Sequence, residues 1–183
     1  MYDNVRKAGA RPNYLADFVA THVPAILLEF LKMMMGSLLG FWLIGKLLEY
    51  TLDINPLYTF PVFGLLYSMQ ATYYKYRLSV DPNYEIPKCR CAGRQNDNMK
   101  TVLQSRESAI LGVPNSVLAA VFYSTLLIMS YFGHLDIVMT VAIMAFCGSV
   151  YLSYVMVVKI GSLCKNCIDI GALNILILFQ VLF

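Results

Sequence analysis

Five apolar blocks divide this chain, and blocks of roughly 20 such residues are what a helix needs to cross lipid. The first runs from Pro24 to Tyr50 ("PAILLEFLKMMMGSLLGFWLIGKLLEY") and the second from about Leu57 to Tyr74. The third spans about Ser108 to Phe132, the fourth Leu135 to Val158, and the fifth Cys164 to Phe183. The chain is 58% hydrophobic and 14% charged, with mean hydropathy +0.61, whereas a soluble domain is about half apolar and a quarter charged. The fold class this implies is all-α: a polytopic membrane helix bundle in the lipid bilayer.

Details of the blocks support spanning. Pro24 suits a first helical turn, and Glu29 and Lys32 can pair at i, i+3. Lys46 and Glu49 lie near the other end of the block, where long side chains reach the headgroups. The interior "MMMGSLLGFWLIG" has no polar face, so this helix is expected to cross the membrane rather than lie along it. Tyrosine and phenylalanine crowd both ends of the second block, as interfacial aromatic belts do. Short links ("GH" and "KIGSL") make blocks three, four and five antiparallel neighbours.

The beginning, "MYDNVRKAGARPNYLADF", is polar and basic and does not read as a secretory signal. The longest polar stretch, about 30 residues, is too short for an independent soluble core. There is no internal repeat, and no basic, aromatic-interleaved face that would take nucleic acid. With the N-terminus in the cytoplasm and every block spanning, twelve of the fourteen basic residues fall on the inner side. That asymmetry orients membrane proteins, so the expected location is the cell membrane with the loop after block two and the "CKNC" tetrapeptide both facing the cytoplasm.

Five cysteines are present, and four of them share that face: Cys89, Cys91, Cys164 and Cys167. Cys147, mid-block in "IMAFCGSVYLSY", reads as a small buried hydrophobe. Cys164 and Cys167 open the fifth helix about one turn apart, a spacing that can close a disulfide. The positive end of the helix dipole and the neighbouring Lys165 both favour thiolate there. Cys89 and Cys91 lie among Lys88, Arg90 and Arg94, a setting that favours thiol exchange, and a bridge between them would be strained and reducible. The four sulfurs could instead hold a structural bridge or a zinc ion, although C-x-C is a short spacing for zinc and one half would lie among lipid headgroups.

The CxxC of block five, "GSVYLSY" of block four, "GVPNSVLAAVFY" of block three and "VLQS" of the loop together resemble the vitamin K epoxide reductase family, membrane thiol oxidoreductases linked to quinones. The resemblance covers roughly residues 63–178. It implies a four-helix core, residues 55–183 with a cysteine-bearing loop at 75–108, preceded by a polar segment and an additional helix at 1–54. It implies that Cys167 faces a membrane quinone, that Cys164 exchanges with a loop cysteine, Cys91 or Cys89, and that the loop cysteine oxidises a separate thioredoxin-like or other dithiol protein. Asn115 matches an asparagine that hydrogen-bonds a quinone oxygen, and Ser105 a serine of the loop helix capping the bundle. By residue chemistry alone, Asn115 could equally make an interhelical hydrogen bond and Ser105 a helix cap.

Two positions depart from the family pattern. The second loop cysteine is Met99, and an aromatic quinone contact four residues after the CxxC is Gly171. A respiratory quinone of ubiquinone or menaquinone type is therefore the expected electron acceptor, and no metal is expected. The alternative is a non-catalytic helical subunit of a larger membrane complex.

Overall fold

The computed structural model describes residues 12–86, 99–110 and 112–183, with side chains from residue 23 onward, Ile110 apart. Helix α1 covers Pro12–Leu52, and Pro12, not Pro24, occupies its first turn. Pro24 lies inside the helix, where it has no N–H to offer the preceding turn; bundled membrane helices tolerate such gaps. The charges of this helix pair locally, Lys32 with Glu29 at 3.3 Å and Lys46 with Glu49 at 2.7 Å.

Helix α2 spans Pro56–Val80, with proline in its first turn and the Asn55 side chain accepting the Leu57 N–H at 2.9 Å. It continues past Tyr74, the expected end of block two, through "KYRLSV". The stop comes at Asp81, which is extended and precedes Pro82, a position where helical backbone clashes with the proline ring. Arg77 in the last turn lies 4.9 Å above the Tyr84 ring.

A short helix α3, Met99–Gln104, leads into a 3-10 turn at Arg106–Ser108. Ala109–Ile110 then pairs antiparallel with Val113–Pro114. The third helix thus starts at Asn115 rather than Ser108: the short strand pair precedes it, and Gly112 takes a positive φ of 82°, outside the helical region. Helix α4 is Asn115–Tyr131 and α5 is Leu135–Tyr154. A π-helical turn, Val155–Ile160, extends α5 and is ended by Gly161 in the left-handed conformation. Helix α6 is Lys165–Leu182.

α2 packs on α4, α5 on α6, and α6 also meets α1 and α2, so α6 is central. The main core joins Phe41 of α1, Phe60 of α2, Tyr123 and Leu126 of α4, Val138 and Ala142 of α5, and Ala172, Leu173 and Ile177 of α6. A line of polar groups crosses it. The Tyr123 hydroxyl donates to Asn174 Oδ1 at 2.7 Å, and Asn174 Nδ2 donates to Ser149 Oγ at 2.6 Å and to the Ala145 carbonyl at 3.3 Å. Tyr123→Phe removes one of these interhelical bonds and should cost about 1 kcal/mol, within the range of about 0.6–1.7 kcal/mol for such bonds in membranes. Unfolding of the detergent-solubilised variant measures it.

Among the described residues, three helical stretches are long and apolar enough to cross a bilayer: Val23–Leu52, Leu135–Ile160 and Lys165–Leu182. α4 is apolar but shorter, at 17 residues. Large apolar side chains such as Leu43, Leu66, Ile128, Met144 and Phe179 point outward from the bundle, the surface a bilayer covers. Cys147 is also exposed on this outer face, so it is not the buried residue its sequence context implies.

Candidate redox site

The first turn of α6 is built around the Cys164 sulfur. Cys164 is extended, with φ −121° and ψ 110°, and caps the helix: its Sγ accepts the Cys167 N–H at 3.3 Å. A helix start leaves such N–H groups without intrahelical partners, and a negatively charged sulfur satisfies one well. The Cys164 N–H itself donates to Met156 Sδ at 3.3 Å, so the π-helical turn at the end of α5 holds the residue from behind. Cys164 is wholly buried, enclosed by Phe30, Val102, Met156, Val157, Leu163 and Ile168. Cys167, one turn along, is half-buried with a free thiol.

Cys167 opens onto a cavity between α2, α3, α4, the end of α5 and α6. Its volume is about 100 Å³, several times the roughly 10–15 Å³ one water needs. Much of the wall is apolar, from Ala71, Val102, Leu103, Leu152, Val155 and Ile170. Asn115, at the start of α4, lines it too: Nδ2 donates to the Glu107 carbonyl at 2.9 Å, while Oδ1 is buried with no hydrogen-bond partner. An amide oxygen left so costs about 1–3 kcal/mol.

Ser105 lines the same cavity, directly after α3. Its hydroxyl donates back to the Val102 carbonyl at 2.7 Å and makes no cap to the following turn. Cys89 and Cys91 lie outside the described residues. Among the described residues, no three of His, Cys, Asp and Glu come together as a metal site.

Several site residues were missed by sequence reading. Lys75 lines the cavity, its ammonium donating to the Ser108 carbonyl at 3.1 Å and to the Ser108 hydroxyl. It lies just beyond the apolar stretch of α2, and partial burial lowers its pKa below the usual lysine value. Ser149 and Ser153, one turn apart on α5, and Asn166 add polar wall, and Asn166 Nδ2 donates to the Tyr67 carbonyl at 3.1 Å. Their signal was present: hydroxyl and amide residues at i, i+4 inside apolar blocks, where each needs a partner.

Lys165 turns its ammonium to the Asp169 carboxylate and to Ser37 Oγ at 3.0 Å, and the Ser37 hydroxyl donates to Asp169 Oδ1 at 2.6 Å. Asp169 is buried, so this triad ties α1 to the helix that carries the thiols. Gly171 faces the same helix: a Cβ there would lie 3.3 Å from Met34 Cε. α1 therefore fills the space beside position 171. Met99 packs against the cluster that encloses Cys164, and a thioether there cannot exchange with a disulfide.

The model of the vitamin K epoxide reductase family matches residues 56–182, α2 through α6. The chain belongs to this family. No curated protein matches it. Members of the family are membrane thiol oxidoreductases that pass electrons to a quinone and generally work with thioredoxin-like partners. The match, together with the three apolar spans, makes this chain a family member embedded in the membrane. Its cavity fits the family's electron acceptor in kind: an apolar chamber for a ring, with polar atoms at its edge for oxygen and one thiol at its wall.

Proposed function

We propose that the protein oxidises dithiols and reduces a respiratory quinone of ubiquinone or menaquinone type, forming disulfides in a separate thioredoxin-like or other dithiol protein. The observation that carries this is that Cys167 and Asn115 line one largely apolar cavity. A bound quinone supplies the acceptor for two electrons and two protons. Cys167 faces it and Cys164 sits behind, capping the helix, so that the pair closes to a disulfide as the electrons leave. Cys164 is then re-reduced by exchange with Cys91 or Cys89, which draw on the partner's dithiol. Asn115 holds a quinone oxygen through its second Nδ2 hydrogen, the first being donated to the Glu107 carbonyl, and Ser105, by closing the last turn of α3, keeps the lid of the chamber in place. In this reading residues 55–183 are the catalytic domain, the segment 1–54 is a polar N-terminal stretch with an added membrane helix, and the cysteines face the cytoplasm from the cell membrane, as the distribution of basic residues implies.

The test is turnover by the full-length protein in lipid nanodiscs with dithiothreitol and a short-chain ubiquinone or menaquinone. One quinone should be consumed per disulfide formed. A folded protein that consumes neither overturns the proposal. Asn115→Ala should lower kcat/KM about tenfold, the equivalent of one hydrogen bond of about 1.4 kcal/mol, with most of the change in KM.

A further inference from the structure

We propose that Lys75 is a catalytic residue of this site, donating a hydrogen bond and then a proton to a quinone oxygen. The inference rests on the reading of the cavity as a quinone site. Among the described residues that line the cavity, Lys75 is the only basic one. Its ammonium has three N–H donors. Two are directed to Ser108, at its carbonyl and its hydroxyl. The Ser108 hydroxyl keeps its own hydrogen for the carbonyls of Leu103, at 2.8 Å, and Ser105, at 2.7 Å, so it serves Lys75 as an acceptor. The third lysine N–H is left for whatever enters the chamber.

Asn115 complements it. Asn115 is bound to the Glu107 carbonyl and Lys75 to Ser108, adjacent residues of one 3-10 turn, so both reach the cavity from the same piece of backbone. One contributes an unused donor and the other an unused acceptor. A quinone carbonyl can only accept a hydrogen bond, and a quinol hydroxyl can also donate one. The lysine, a donor only, therefore suits the oxidised substrate.

The step balances. The two thiols of Cys164 and Cys167 lose two electrons and two protons as the S–S bond forms, and the quinone gains two electrons and two protons to become the quinol. Lys75 delivers one proton to an oxygen as negative charge develops there. One of the protons released by the thiols restores the ammonium, and the other goes to the second quinone oxygen.

Lys75→Gln keeps a side-chain donor near Ser108 but removes the charge and the mobile proton. Lys75→Arg keeps the charge, and Ser108→Ala removes one tie of the ammonium while sparing the backbone one. In nanodiscs, with dithiothreitol and a short-chain ubiquinone, Lys75→Gln should lower kcat about 100-fold, the low end for loss of a general acid, with KM changed less than about threefold. Ser108→Ala should lose well under tenfold, and Lys75→Arg should fall between the two. If Lys75 serves only to hold the 3-10 turn, Ser108→Ala and Lys75→Gln fall together, or Lys75→Gln raises KM and spares kcat. Either result overturns the assignment, as does a Lys75→Gln protein with wild-type kinetics. Those results leave the quinone reading standing, because the wild-type control turns over; a wild-type protein without turnover removes both.

Discussion

Cys167→Ser should leave quinone reduction by dithiols at background, a fall on the order of 10³-fold or more, as when a reacting nucleophile is removed. A serine oxygen can neither close the S–S bond nor carry the electron pair to the ring. The scaffold should survive the change. The contact Cys167 gives to the helix start comes from its backbone N–H, donated to Cys164 Sγ, and its side chain is only half-buried at the cavity wall. Cys164→Ser is the companion variant. Serine is among the preferred N-cap residues, so its hydroxyl can take over the cap that the sulfur now makes, and the loss of activity is again chemical. Turnover in nanodiscs and thermal unfolding in detergent, read side by side, separate chemistry from folding. Wild-type turnover in both serine variants would reject the electron path.

The second large effect concerns the fold. At Gly64 an added Cβ would lie 2.3 Å from Tyr123 Cζ, and 2.4 and 2.6 Å from Cε1 and Cε2. The ring has nowhere to go: it is 1% exposed, and its hydroxyl is fixed on Asn174. α2 and α4 would have to separate, breaking the core between them. Gly64→Ala should cost about 1–3 kcal/mol, the usual cost of overpacking, and Gly64→Val more, to the point of poor recovery from the membrane. Gly36→Ala and Gly40→Ala are the controls. Nothing lies within 4 Å of a Cβ at either position, and alanine favours helix over glycine by about 1 kcal/mol. If Gly64→Ala unfolds at the wild-type temperature, the close α2–α4 approach is not a source of stability.

The apolar blocks located the long helices well because lipid leaves backbone little choice. "CKNC" was legible as the start of α6 for a local reason, since the residue before a helix is one whose side chain can accept an N–H. Boundaries set by tertiary context were not. Lys75 was assigned to the polar loop because it is charged, yet α2 runs on to Val80 and its last turns carry that lysine into the cavity. Pro24 has the chemistry of a helix start, but the helix begins a full three turns earlier. Asn166, Asp169 and Asn174 stood in plain view within an apolar block. The rule applied to Asn115, that an amide in a membrane helix must find a partner, applied to them equally. Their partners Tyr67, Ser37, Tyr123 and Ser149 lie far along the chain, and only the packed bundle brings them together.

The outward position of Cys147 bears on how the oxidation state of the other sulfurs can be counted. A thiol that meets acyl chains stays protonated and slow to alkylate, whatever electrons the chamber holds. In the intact bilayer neither a lipophilic nor a sulfonated maleimide will therefore count this residue, because both react with thiolate. Mass shifts read from labelled membranes then come from the other four cysteines alone.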